Sequence, residues 1–67
     1  MTKCFKINSD EVLVLTDSRP PRAMLVNVLL STYKLLKVPS SEVNNMLSHG
    51  TPISEDVVKD LDLKRID

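Results

Sequence analysis

With 67 residues, nine basic and nine acidic side chains and a formal net charge of zero, the chain has room for one domain and no bulk attraction for polyanions. A chain this short buries only about 60% of the surface it exposes when unfolded, so a self-sufficient core and a deep catalytic cleft compete for the same side chains. A 42% hydrophobic content together with 27% charged residues argues for a folded domain over disorder.

Single residues exclude further classes. The lone cysteine, Cys4, has no disulfide partner, and the lone histidine, His49, lies far from it in sequence. With one glycine, Gly50, no glycine-rich phosphate loop can form. No metal site, cofactor or catalytic constellation is expected, and the chain does not read as an enzyme. No apolar signal core follows Met1-Thr2-Lys3, and the apolar stretch from Met24 to Leu36 is broken by Asn27, Ser31, Thr32 and Lys34. The expected location is cytoplasmic.

The whole chain, 1–67, is expected to be a single small domain. Cys4-Phe5-Lys6-Ile7 and Val12-Leu13-Val14-Leu15 favour strand, and Asn8-Ser9-Asp10 between them favour a turn. A β-hairpin is expected over about 3–16. It must pack on the helices or pair through an edge with another copy, because an isolated hairpin is marginal in water.

Asp17 or Ser18 can cap a helix beginning near Pro20-Pro21 and running to about residue 37. On that helix Leu25, Val28, Leu29, Leu35 and Leu36 share one side, and Val26, Leu30 and Tyr33 another. An apolar stripe so wide is either central to the fold or shared with a partner. Val38-Pro39 ends it. A second helix, about 40–49, takes Ser40 or Ser41 as its cap, buries Val43, Met46 and Leu47, and stops at Gly50. A third, about 54–62, is capped by Ser54, with Glu55 and Asp56 at its positive end and Val57, Val58 and Leu61 turned inward. Leu63 and Ile66 are expected to fold back on the core. The predicted class is α+β and mostly α: an N-terminal β-hairpin followed by three helices, including a helix-turn-helix-like pair.

The pattern Leu36-x-Val38-x-x-x-x-Val43-x-x-x-Leu47-x-x-Gly50-x-Pro52-Ile53-Ser54-x-x-Val57-x-x-x-Leu61-x-Leu63 resembles the small phage Cro/repressor-like helix-turn-helix regulators over about residues 35–65. In that family a valine precedes the recognition helix, a valine and a leucine anchor its inner side, and a Pro-Ile-Ser segment opens the next helix. The resemblance implies a transcriptional regulator of phage or prophage type that occupies an operator on double-stranded DNA as a homodimer. Carried over position by position, Ser40, Ser41, Glu42, Asn44, Asn45 and Ser48 would face the bases and Lys34 and Lys37 the phosphates.

Charge along the chain bears on this reading. Arg19, Arg22, Lys34 and Lys37 against Glu42 make residues 19–50 the basic segment, at +3, flanked by segments at −1 and −2. No Lys or Arg lies within 40–49, so phosphate contacts would be few and binding weak and salt-sensitive. The alternative is a small phage-type inhibitor or adaptor that engages a host protein through the apolar helix 21–37 and the hairpin edge.

Overall fold

A computed structural model of the chain describes residues 2–19, 21–38 and 40–66. The elements run β1 (Lys3–Lys6), β2 (Glu11–Thr16), β3 (Arg22–Asn27), β4 (Thr32–Leu36), α1 (Ser41–His49), β5 (Thr51–Ile53), α2 (Asp56–Lys59) and β6 (Lys64–Arg65). Strand (41%) outweighs helix (21%) among the described residues, so the mostly-α expectation is overturned. One mixed sheet of six strands, in the order β5-β1-β2-β3-β4-β6, organises the molecule.

β1 to β4 form an antiparallel meander. The register pairs Cys4 with Val14, Val14 with Met24 and Met24 with Leu35. Because side chains alternate along each strand, this row shares a face with Val12, Val26 and Tyr33. Phe5, Leu13, Leu25 and Lys34 form a row on the other face, beside Leu15, Ala23 and Leu36. Both faces are covered. α1 packs on the second through buried Val43 and half-buried Met46 and Leu47. Val58, Leu61 and Leu63, from α2 and the segment after it, pack on the first.

Apolar side chains on both faces of the sheet explain why residues 22–36 form β3, a turn and β4 in place of the expected helix, which began near residue 20, outside the described residues. A strand with two buried faces is a nearly continuous apolar run, and periodicity alone cannot distinguish that run from a buried helix. The β-branched and aromatic residues Val26, Val28, Thr32 and Tyr33 favour strand, and the chain reverses between β3 and β4 without glycine or proline. Asn27 makes the reversal: its Oδ1 accepts the backbone N–H of Leu29 at 3.0 Å and of Leu30 at 2.9 Å, and Ser31 takes φ 54° to complete the turn. Short polar side chains visit that left-handed region most readily among non-glycine residues.

α1 is built as a local pattern dictates. Ser40 is its N-cap, with Oγ accepting from Val43 N at 3.2 Å. Gly50, by contrast, sits in extended backbone at φ −73° and is there for space. A Cβ on it would lie 2.9 Å from the Met46 carbonyl oxygen and 2.9 Å from Phe5 Cβ. The expected third helix shrinks to the single turn Asp56–Lys59, between β5 (Thr51–Ile53), which pairs with β1, and β6 (Lys64–Arg65), which pairs in parallel with β4. Ser54 Oγ still accepts from Asp56 N at 3.2 Å. Val57 and Ile66 are exposed instead of inward.

The β1–β2 hairpin has no free edge for a partner strand, since β5 covers β1 and β3 covers β2. The outer edges of the sheet are short and blunted. β5 carries Pro52, which cannot donate, and β6 is the charged pair Lys64-Arg65. Among the described residues no helix is long and apolar enough to cross a membrane.

Candidate functional site

The geometry that a helix-turn-helix needs is replaced. The element before α1 is strand β4, so Lys34 lies within a sheet and Lys37 just past its end, neither in a turn between two helices. Lys34 pairs opposite Leu25, on the sheet face that α1 covers, and both lysines are exposed. Ser40 is committed to capping. Ser41, Asn44 and Ser48 occupy one exposed flank of α1, and Glu42, Asn45 and His49 the other. Ser48 Oγ donates to the Asn45 carbonyl at 2.8 Å. The six candidate base-reading residues therefore remain on or beside one helix, but that helix lies flat on a sheet with one acid and no Lys or Arg.

Glu42, Asn45 and His49 line a shallow groove of about 280 Å³ with Ile7 and Met46. A second depression, about 420 Å³, runs along β1 and β5 past Phe5, Pro52 and Ile53. Among the described residues no three His, Cys, Asp or Glu side chains come together. Cys4 is buried in the sheet core, where burial first and the Glu55 carboxylate second push its thiol pKa upward, away from the thiolate a nucleophile needs.

The most unusual surface is one that helical periodicity concealed. Leu29 and Leu30 were expected on the apolar stripes of a helix, but they form the tip of the β3–β4 turn, 73% and 68% exposed. Their backbone is held by the two bonds to Asn27 Oδ1, by Val28 N donating to the Asp10 carbonyl at 2.8 Å, and by Lys64 N donating to the Ser31 carbonyl at 3.0 Å. The tip is thus anchored to the β1–β2 turn on one side and to β6 on the other. The legible signal was Asn27 two and three residues before the leucines, an Asx-turn spacing that also fits a helix interior.

No protein-family model, curated protein or solved structure matches the chain. These comparisons bear neither for nor against the Cro/repressor resemblance.

Proposed function

We propose that the chain is a small protein-binding module, an inhibitor or adaptor, whose docking element is the leucine turn 28–31. The observation that carries this is the exposure of Leu29 and Leu30 on a turn held in place by its own Asn27 and by two neighbouring segments, the β1–β2 turn and β6. Two adjacent leucines in water contribute nothing to the isolated fold, whereas burying each in a partner's pocket is worth about 1.5–3 kcal/mol. Because the turn is already ordered, little conformational entropy is lost on docking. The buried, unbridged Cys4 suits a reducing cytoplasm.

Operator binding draws less support. Its phosphate contacts would fall to Lys34 and Lys37, on a strand and a linker, with help from Arg19, Arg22 or His49, while Glu42 sits on the helix meant to approach DNA.

The test compares wild type with a Leu29→Asp/Leu30→Asp variant as bait, identifying retained proteins by mass spectrometry and checking the fold by circular dichroism. A defined protein held by wild type and lost by the folded variant is the expected result. Identical retention by both baits would overturn the assignment of the turn.

A further inference from the structure

The surroundings of the leucine tip are polarised. Across that end of the sheet the order is the β1–β2 turn, the β3–β4 turn and the start of β6. Asp10 and Glu11 therefore stand on one side of Leu29 and Leu30: the Asp10 carbonyl accepts from Val28 N, and Glu11 pairs opposite Asn27. Lys64 stands on the other, bonded through its backbone to Ser31 and paired opposite Thr32, with Arg65 the next residue along. By strand order and backbone pairing, acid, apolar and base follow one another across that end of the sheet.

A patch of this kind is complementary to itself. End-to-end contact between two copies requires a two-fold axis lying in the contact plane. If that axis ran across the strands, acid would meet acid and base would meet base. If it runs along the sheet normal, the leucine tips meet at the centre, and the Asp10 side of each copy meets the Lys64 side of the other, twice. We infer that the leucine turn is occupied by a second copy of this chain, related by a two-fold axis along the sheet normal, with Asp10 of each copy opposite Lys64 of the other.

This rests on the reading of the turn as a docking element and names one occupant for it. An anionic lipid surface fits less well, because Asp10 and Glu11 would face it beside Lys64. The tip is small against the roughly 800 Å² per partner of standard specific interfaces, so the dimer is weak and in exchange. A heterologous partner that buries the leucines more completely would displace the second copy, and self-association would shield the apolar turn until then.

The experiment is sedimentation equilibrium of the full chain over a concentration series, at low and high salt. A concentration-dependent monomer–dimer equilibrium that weakens with salt is expected. Leu29→Asp/Leu30→Asp should raise the dissociation constant by at least about tenfold. Asp10→Lys alone and Lys64→Asp alone should each weaken the homodimer several-fold, because each places like charges together at both contacts. Mixing these two variants should restore association as a heterodimer, in which both contacts pair opposite charges. A wild type that stays monomeric up to about millimolar concentration overturns the second-copy assignment and leaves the docking turn to its own capture test. A dimer indifferent to the leucine changes forms through another surface and overturns the second-copy assignment, with the docking turn again left to its capture test. Loss of association with the leucine changes, but no restoration on mixing, overturns the proposed axis.

Discussion

Replacing Gly50 by alanine probes the packing of α1 on the sheet without touching a polar group. The backbone there is extended and its N–H donates to the Met46 carbonyl at 2.7 Å, so alanine meets no conformational barrier. The obstacle is space. The new methyl carbon would stand 2.9 Å from that carbonyl oxygen, 2.9 Å from Phe5 Cβ and 3.2 Å from Ile7 Cδ1, where carbon contacts ordinarily relax to about 3.5–4.0 Å. The first two atoms belong to a helix backbone and to a side-chain stem, so neither can swing aside, and the end of α1 must lift from β1. Overpacking of this kind costs about 1–3 kcal/mol, while the loss of glycine's freedom in the unfolded chain returns about 0.4–1 kcal/mol. A net loss of about 1–2 kcal/mol corresponds to a fall in Tm of roughly 5–15 °C for a domain of this size. Thermal and urea unfolding followed by far-ultraviolet circular dichroism reads this directly, and adding Ile7→Val should recover only a minor part, since Cδ1 is the most distant of the three atoms. An unchanged or raised Tm in Gly50→Ala would refute the account of why glycine stands here.

Two further outcomes are expected. Asn27→Ala removes the acceptor for two backbone donors in the β3–β4 turn, which should cost about 1 kcal/mol and increase amide hydrogen exchange at Leu29 and Leu30 more than in β2; uniform exchange changes would place the turn's order elsewhere. For Cys4, whose folded-state pKa is raised above its ordinary value of 9.0, the unfolded chain releases the thiol proton first. The thiol's contribution to stability is therefore intact below about pH 9 and lost as pH rises through the folded-state pKa. The stability gap between wild type and Cys4→Ala should narrow as pH rises past the ordinary thiol value of 9.0, and a constant gap would contradict burial of the thiol.

The sequence makes some elements legible because their causes are local. Ser40 followed by Val43, Met46 and Leu47 specifies a capped amphipathic helix, and α1 lies over those residues. Asn8-Ser9-Asp10 between two apolar tetrads marks a reversal, and there Asn8 Oδ1 accepts from both Asp10 N and Glu11 N. Residues 22–36 defeat local reading because β3 and β4 carry apolar side chains toward both sheet faces, which erases the alternation that normally betrays a strand. β5 and β6 owe their existence to pairing with β1 and β4, about fifty and thirty residues away in sequence. Leu29 and Leu30 became visible as a surface only once the helix around them was replaced by a turn; among apolar residues, composition does not distinguish a tip from a core.

The blunted edges of the sheet carry a consequence for synthesis. The four-strand meander, residues 3–36, is translated before the two short strands that pair with its outer edges, β5 and β6. At ribosomal speeds of about 5–20 residues per second, the interval between the end of β4 and the arrival of β6 is a few seconds. During that interval the nascent chain presents open strand edges, and its protection from pairing with a neighbouring nascent copy depends on residues 37–65 being translated without pause.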